Sequence, residues 1–284
     1  MSPSKSILIT GCSADGIGAA IALVLARRNY HIFATARNTA KIPEALTSLK
    51  NVTILPLDVG DTASVARAAQ MVTDSGRGLD VLVNNAGSGY VRPVLDIDIA
   101  EAQWLHDVNL WGPLRTIQAF ADLLIASRGR IVNVSSSASI LNSPWYSTYA
   151  TSKAALNTLS ETLRLELAPF GVSVVTILSN LHNNDAAGFD LPPSSRYSKI
   201  KDIIGSAAKG EFIPKDSISA EKFAELVVDD VIGTGKGGIV NRGAYAPLLR
   251  WVGYYAPTWL KDYLVSEKQG LKELSRQPPR DNST

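Results

Sequence analysis

The sequence predicts an α/β fold, a single doubly wound parallel sheet of about seven strands with helices on both faces. Three observations support this prediction. Short runs of β-branched and aliphatic residues alternate with longer segments of helical periodicity. The strand-like runs are almost continuously apolar, as expected of parallel strands covered by helices on both sides. A glycine-rich turn joins the first strand to the first helix.

The predicted strands follow one another along the chain, and each is bounded by turn residues. They are Ser6–Thr10, His31–Ala36, Val52–Val59, Leu79–Asn84, Arg130–Ser135, Val172–Ser179 and Gly238–Gly243. The segments of helical periodicity between them are Ile17–Asn29, Thr62–Ser75, Ala100–Ser127, Thr148–Phe170 and Ala220–Ile232. Repetition of this kind builds right-handed crossovers between parallel strands. Because no linker or internal repeat interrupts it, it predicts one domain over residues 1–284.

Composition limits the classes of protein to which the chain can belong. Lysine and arginine total 28 against 26 aspartate and glutamate, and a formal net charge of +2 gives no electrostatic basis for nucleic-acid binding. The single cysteine, Cys12, excludes an internal disulfide and a cysteine-built zinc site, and we expect no bound metal. Neither a signal-peptide pattern nor a run of the ~20 apolar residues that cross a bilayer is present. We expect a cytoplasmic protein, at most peripheral on an intracellular membrane or lipid droplet.

The turn from Thr10 to Gly18 has the composition of a pyrophosphate-binding loop. Its glycines let the backbone approach a phosphate, and the helix N-terminus supplies free N–H groups with a partial positive charge. An ordinary tight turn is the alternative, but strand, turn and helix occur here in the order of a Rossmann-type dinucleotide site. The candidate cofactor residues in this turn are Gly11, Ser13, Asp15, Gly16, Ile17 and Gly18.

The end of the second strand indicates which dinucleotide binds. An acidic residue there holds the ribose 2′-hydroxyl of NAD, whereas a nearby arginine accommodates the 2′-phosphate of NADP. This sequence has Arg37 at that position and no acidic residue before Glu44. It therefore predicts NADP(H), with a solvated surface arginine as the alternative interpretation of Arg37.

Tyr149 and Lys153 lie one helical turn apart in the fourth predicted helix and so share a face. A phenol with a pKa of about 10 exchanges protons poorly at neutral pH unless a cation stabilises its phenolate, and Lys153 can supply that cation. Ser136, 13 residues before Tyr149, closes a predicted core strand at the sheet edge where α/β proteins bind ligands. These three side chains form a candidate catalytic group.

The chain resembles the short-chain dehydrogenase/reductase family over residues 5–245, because motifs occur in the family's order: the glycine turn, Asn84-Asn85-Ala86-Gly87, Asn109, Ser136 and the Tyr149/Lys153 pair. The resemblance implies Tyr149 as general acid/base, with Lys153 lowering its pKa and binding the nicotinamide ribose. It implies Ser136 as the hydrogen-bond donor to the substrate carbonyl and Asn109 as the holder of a proton-relay water, a helix kink being the alternative role for Asn109. Further residues that it places against the cofactor are Asp58, Val59, Asn85, Ala86 and Gly87.

Three features depart from the common family pattern. The glycine turn is one residue longer than usual, and its Thr-Gly-Cys-Ser start resembles fungal acyl-dihydroxyacetone-phosphate reductases. Asp15 stands where NADP-preferring members often carry a basic residue, yet Arg37 still favours NADP(H). After the sixth strand, Ser179-Asn180 and Asn184 replace a Pro-Gly pair and a threonine that holds the carboxamide. The cofactor candidates in this altered loop are Asn180, His182 and Asn184.

Two segments near the end of the chain bear on substrate and location. Residues 180–219 correspond to the family's substrate loop and lid. Its apolar residues are candidate pocket walls, with packing of the lid onto the domain as the alternative: Phe189, Leu191, Tyr197, Ile200, Ile203 and Ile204. Residues 245–284 form an aromatic, basic C-terminal extension, in which residues 247–264 combine tryptophan and tyrosine with Arg250 and Lys261. That combination suits peripheral contact with a membrane, a lid or subunit contact being the alternatives.

The sequence predicts an NADP(H)-dependent enzyme that reduces a ketone on a lipophilic substrate of the acyl-dihydroxyacetone-phosphate or secondary-metabolite type. A non-redox isomerase or cyclase on the same fold, and a cofactor-sensing protein without turnover, remain as alternatives. The altered loop after the sixth strand favours the first alternative, whereas the intact catalytic group argues against the second. The resemblance also implies a homo-oligomer, a dimer or tetramer, formed through the helices predicted at Ala100–Ser127 and Thr148–Phe170.

Overall fold

A computed structural model of the chain describes residues 5–180, 189–211 and 218–275. Its sheet has seven strands in the order β3-β2-β1-β4-β5-β6-β7, and every neighbouring pair is parallel. The strands are β1 (Ser6–Ile9), β2 (His31–Ala36), β3 (Val52–Pro56), β4 (Val81–Asn84), β5 (Arg130–Ser136), β6 (Ser173–Asn180) and β7 (Gly237–Gly243). The predicted fold class is confirmed.

Helices cover both faces of this sheet. In chain order they are α1 (Ile17–Arg27), α2 (Glu44–Thr47), α3 (Thr62–Asp74), α4 (Ile99–His106), α5 (Gly112–Ala126), α6 (Ser147–Leu167), α7 (Lys201–Ala208), α8 (Ala220–Ile232), α9 (Ala246–Tyr255), α10 (Thr258–Ser266) and α11 (Leu271–Ser275). Side chains alternate along β1, so Ile7 and Ile9 pack in the core beneath α1 and α8. Leu8 packs in the opposite core with Phe33 and Phe120. Burial on both faces explains why the strands are so continuously apolar.

The helix predicted at Ala100–Ser127 is interrupted. Between α4 and α5 the backbone forms a π-helical turn at Asp107–Trp111, in which the Gly112 N–H donates to the Asp107 carbonyl. Pro113 explains the interruption, because a proline lacks an N–H and its ring clashes with the carbonyl four residues earlier. That carbonyl belongs to Asn109, so the distorted turn lies at a predicted site residue.

The predicted substrate loop and lid at residues 180–219 contain α7, a helix that the sequence patterns did not indicate. Gly205 lies in this short helix and lowers its intrinsic propensity. Burial of Ile204, Ala207 and Ala208 stabilises it instead, and that packing is invisible in a local pattern. The last residues of the predicted C-terminal extension, 276–284, lie outside the described residues.

Three described helices follow β7 in the C-terminal extension, and prolines mark where the first two begin. Pro247 stands in the first turn of α9, where a missing N–H costs nothing, and Pro257 precedes α10. A Cβ placed on Gly253 would lie 2.6 Å from Ile140 Cδ1, so α9 packs closely against the segment after β5. In the described ranges, no helix is both long enough and apolar enough to span a bilayer.

Candidate active site

A groove of about 1790 Å³ runs along the carboxyl ends of the strands. It extends from the glycine turn past the end of β5 to the C-terminal helices, where an open α/β sheet places its ligands. Most of the predicted site residues line it: Gly11, Ser13, Gly16, Ile17, Arg37, Asp58, Val59, Asn85, Ala86, Gly87, Ser136, Tyr149, Lys153 and Asn180. Asp15, Gly18 and Asn109 do not.

The glycines at the start of the groove are required by close backbone packing. Gly11 has a φ of +76°, and a Cβ on it would lie 2.9 Å from the Cα of Ala86. A Cβ on Gly18 would overlap the Asn85 amide nitrogen and lie 2.5 Å from the Gly11 carbonyl oxygen. Only a residue without a side chain fits at Gly18, so the first turn of α1 lies directly against the loop after β4.

The N-terminus of α1 is open to a ligand. Gly16 is its N-cap and supplies no capping side chain, and the first turn holds no acidic residue. By contrast, Asp61 caps α3 and Asp98 caps α4 with their carboxylates. The Gly16 N–H donates to the Ser13 carbonyl at 3.2 Å, so the N–H groups without a helical partner begin at Ile17, which lines the groove together with the positive end of the helix dipole. This arrangement suits a phosphate group. Asp15, with a φ of +61°, is exposed at the rim of this turn.

Two side chains in the loop regions hold the glycine turn in shape. The Asn85 amide donates to the carbonyls of Thr10 (2.9 Å) and Gly11 (3.2 Å). The Thr10 hydroxyl accepts from the backbone N–H groups of Asn85 (3.0 Å) and Ala86 (2.9 Å). Cys12 is fully buried, and burial raises the pKa of its thiol to about 12. The Asn85 side chain and Cys12 are thus structural parts of the turn.

Arg37 and Asp58 stand beyond the ends of β2 and β3 on the wall of the groove. Arg37 is exposed and makes no hydrogen bond or ion pair with any residue that the structure describes. One carboxylate oxygen of Asp58 accepts from the Gly60 N–H at 2.9 Å. Val59 is buried beside them. A free guanidinium at this point can meet an anionic group lying along the groove.

Ser136 and Tyr149 face each other across the end of β5. Ser136 is the last residue of β5, and its hydroxyl accepts from the Ala138 N–H at 3.2 Å. Tyr149 lies on α6. Burial raises the pKa of the Tyr149 phenol, and the Ser136 hydroxyl opposes this effect by lowering it. At neutral pH the phenol therefore carries its proton and can donate it.

Lys153 lies one turn further along α6 and is only 5% exposed. Its Nζ donates to the Val134 carbonyl at 3.0 Å and stands 5.9 Å from the centroid of the Tyr149 ring. Burial lowers the pKa of Lys153 to about 8, so its ammonium is retained at neutral pH. The Ser136 hydroxyl lowers the pKa of Tyr149 and burial outweighs it. The role of Lys153 in lowering that pKa stays a prediction.

Asn109 connects the π-helical turn to the loop after β4. Its Oδ1 accepts from the Ser88 N–H, and its Nδ2 donates to the Ser88 carbonyl, both at 2.9 Å. The same Nδ2 donates to the Ser152 hydroxyl at 3.1 Å, which in turn donates to the Tyr149 carbonyl. The Asn109 amide is thus occupied by protein groups, which favours the alternative role in the helix distortion. Its role as holder of a relay water stays a prediction.

A buried polar network beneath the site was missed by sequence reasoning. Thr116 donates to Asn84 (2.6 Å), Asn84 donates to Asn133 (2.9 Å), and Asn133 donates to Ser160 (2.8 Å). These bonds tie α5, β4, β5 and α6 together below the candidate catalytic group. The signal in the sequence was a single asparagine in each strand, Asn84 in β4 and Asn133 in β5, directly after apolar residues.

Asn180 is held by the protein at the end of β6. Its Nδ2 donates to the Ala244 carbonyl at 2.7 Å, and its Oδ1 accepts from the Ser137 hydroxyl at 3.2 Å. It lines the groove while joining the ends of β6 and β7. His182 and Asn184 lie outside the described residues.

Only one of the six predicted apolar pocket walls, Phe189, lines the groove. The others pack among themselves and against Trp145 as the core of the lid, because Leu191, Ile200 and Ile204 are buried there. The apolar walls come instead from elsewhere in the chain: Leu141, Leu248, Leu249, Val252, Leu264 and Val265. Among the described residues, no group of three or more His, Cys, Asp or Glu is placed to hold a metal ion.

Comparisons with known proteins identify the family of this chain. A family model described as short chain dehydrogenase matches residues 5–187. The short-chain dehydrogenase ptmH of Penicillium ochrochloron is 42% identical over 270 residues, covering 94% of this chain and 98% of that relative. The NADPH-dependent 1-acyldihydroxyacetone phosphate reductase of Schizosaccharomyces pombe is 34% identical over 263 residues, covering 89% of this chain and 87% of that relative.

A solved structure extends the comparison to three dimensions. The alcohol dehydrogenase of the archaeon Thermococcus sibiricus, in complex with 5-hydroxy-NADP, has a TM-score of 0.69 at 25% identity, covering 86% of this chain and 98% of that structure. With the sequence relatives, it confirms the resemblance seen in the motifs and the prediction of an oxidoreductase enzyme. The chain belongs to the short-chain dehydrogenase family.

Proposed function

We propose that this protein uses NADPH to reduce a ketone on a lipophilic substrate to the alcohol. The observation that carries the proposal is one continuous groove that joins an uncapped helix N-terminus to Ser136, Tyr149 and Lys153. The residues at its first end fit a dinucleotide, because Gly11 and Gly18 leave no room for a side chain and Arg37 is free to pair with a 2′-phosphate.

Bound NADPH would supply the hydride, and the chain would supply position and a proton. The Ser136 hydroxyl is placed to donate a hydrogen bond to the ketone oxygen. Tyr149, whose raised pKa keeps it protonated, transfers its phenolic proton to that oxygen as the alkoxide develops. The Lys153 ammonium, buried beside the ring, stabilises the phenolate that remains.

The proposed substrate class rests on the far end of the groove. Phe189, Leu248, Leu249 and Val252 give that end apolar walls, which suit an acyl or other lipophilic chain. The fission-yeast relative named as a 1-acyldihydroxyacetone phosphate reductase supports a ketone with a long apolar body. We therefore propose an acyl-dihydroxyacetone-phosphate or a secondary-metabolite ketone.

Replacing Arg37 with alanine tests the choice of cofactor. Loss of a charge-assisted contact to the 2′-phosphate raises the Kd for NADPH by about tenfold to a hundredfold, while NADH affinity is unchanged. Quenching of tryptophan fluorescence measures both affinities. Arg27→Ala is the matched control, because Arg27 is exposed at the opposite end of α1. Equal loss of NADPH and NADH affinity in Arg37→Ala would contradict the assignment.

We also propose that residues 247–264 contact a membrane surface peripherally. Along α9 and α10 the aromatic side chains are exposed, with Trp251 at 52%, Tyr255 at 72% and Trp259 at 70%. Arg250 is exposed among them, and aromatic rings beside basic groups suit an anionic lipid interface. Leu248 and Leu264 on the same helices line the groove, so a lipophilic substrate would enter from this side.

Vesicles of phosphatidylcholine and phosphatidylserine test this surface by sedimentation. The double variant Trp251→Ser/Trp259→Ser lowers the partition coefficient by at least about tenfold, because two large side chains no longer leave water. Met71→Ser/Leu226→Ser is the control, since these side chains are 45% and 47% exposed on α3 and α8. If both variants partition as the wild type does, the membrane proposal is wrong.

We also propose that the chain forms a homo-oligomer through the long helices. Trp104 on α4 and Trp111 at the end of the π-helical turn are each 48% exposed, and Leu165 on α6 is 65% exposed. Exposed apolar side chains at these positions favour a subunit contact over this face of the domain.

A further inference from the structure

Arg92 lies on the loop after β4 and lines the same groove as the candidate catalytic group. Its backbone N–H donates to the Trp145 carbonyl at 2.8 Å. Trp145 lies two residues before the start of α6 and four residues before Tyr149. This bond fixes Arg92 relative to the end of α6 at which a ketone would react.

Arg92 is half-buried, and no residue that the structure describes pairs with its guanidinium. Its Cζ stands 5.5 Å from the centroid of the Phe189 ring. Its Nη1 is withdrawn from solvent and has no hydrogen-bond partner among the described residues. A buried charged donor without an acceptor is unfavourable, so native structures rarely leave one without a ligand or water to satisfy it.

Neighbouring carboxylates do not neutralise this guanidinium. Asp190 is exposed and pairs with Lys201 at 2.6 Å, and Lys201 contributes most to lowering the pKa of that carboxyl while Arg92 contributes least. Glu101 also lines the groove, where it interacts with the Tyr90 hydroxyl. Arg92 forms no ion pair with Asp190 or Glu101.

We propose that Arg92 binds an anionic group of the ketone substrate, a carboxylate or a phosphate. The planar guanidinium presents paired N–H donors that match both oxyanions. Phe189, Leu141 and Leu248 would then receive the apolar body of the same molecule. This inference rests on the proposed ketone reduction and adds that the substrate is amphipathic.

Matched pairs of charged and neutral ketones test Arg92. Arg92→Met lowers kcat/KM for 5-oxodecanoate by at least about tenfold, mainly through KM, and leaves its methyl ester nearly unchanged, because only the acid loses a charge-assisted bond. Arg92→Lys retains part of the preference. The ratio of kcat/KM for dihydroxyacetone phosphate to that for dihydroxyacetone gives the same comparison for a phosphate. The charged group with the larger preference over its neutral partner, carboxylate or phosphate, is the anion that Arg92 binds.

Arg196→Met is the control, because Arg196 is exposed on the lid and does not line the groove. Equal losses for acid and ester in Arg92→Met would indicate a merely structural residue and overturn the proposal. If the wild type reduces none of these ketones with NADPH, the proposed function fails while Arg92 remains testable by calorimetry with decanoate and 1-decanol. Weaker binding of decanoate alone in Arg92→Met supports the anion subsite, and unchanged binding overturns it.

Discussion

Replacing Tyr149 with phenylalanine is expected to lower kcat for ketone reduction by about a hundredfold to ten-thousandfold, while the Kd for NADPH stays unchanged. The phenylalanine keeps the ring that packs beside Lys153 and removes only the hydroxyl that would give up the proton. NADPH oxidation and alcohol formation measure the first effect, and quenching of tryptophan fluorescence measures the second. Substantial reductase activity in Tyr149→Phe would contradict the assigned role.

Tyr146→Phe is a closely matched control for this variant. Tyr146 is one turn earlier at the start of α6, and its hydroxyl donates to the Ala207 carbonyl at 2.8 Å. Its removal costs one hydrogen bond between α6 and the lid, about 1 kcal/mol of stability. We expect turnover close to that of the wild type, because no proton transfer passes through this hydroxyl.

Placing alanine at Gly18 is expected to abolish measurable NADPH binding and to lower the free energy of unfolding by about 1–3 kcal/mol. The new Cβ would lie 2.5 Å from the Gly11 carbonyl oxygen and overlap the Asn85 amide, so the glycine turn and the loop after β4 must separate. Both segments form the first end of the groove. Urea denaturation and NADPH titration measure the two effects.

Gly235→Ala is the control for Gly18→Ala. A Cβ at Gly235 meets no atom within 4 Å, and Gly235 lies outside the groove lining. The control therefore changes backbone entropy without a clash. If Gly18→Ala binds NADPH as tightly as Gly235→Ala does, the glycine turn is not the cofactor cradle.

The fold was predictable because its signals are local and repeated. Strands covered on both faces must be apolar along their whole length, and the runs that end at Ala36 and Asn84 show this in the sequence itself. Element ends were less accurate: β3 stops at Pro56 rather than Val59. The break at Asp107–Trp111 entered the prediction only as a helix kink, the alternative role of Asn109, although Pro113 was a direct signal for it.

The sequence predicted which residues line the site, but not which groups their side chains contact. The order of the motifs predicted that Ser136, Tyr149 and Lys153 share one site, and all three line the groove. It did not show that the amides of Asn85, Asn109 and Asn180 bond to protein groups, since their partners Thr10, Ser88 and Ala244 come from distant or irregular segments.

The pocket walls were predicted wrongly because they were chosen only by the apolar character of the side chains. Leu191 and Ile200 pack in the core of the lid itself. Leu248 and Val252, which follow the last strand in the sequence, line the groove instead. A sequence pattern shows which side chains leave water, and tertiary packing decides whether a neighbour or a ligand covers them.

The central claim is that this groove reduces a ketone at the expense of NADPH. The most direct measurement is a fluorescence titration with NADPH and NADH, followed by incubation with a panel of lipophilic ketones while the nicotinamide absorbance is recorded. We predict that NADPH binds at least about tenfold more tightly than NADH and that one alcohol forms for each NADPH consumed. A preference for NADH, or product formed without net consumption of NADPH, would contradict the account and would favour an isomerase or cyclase on the same fold.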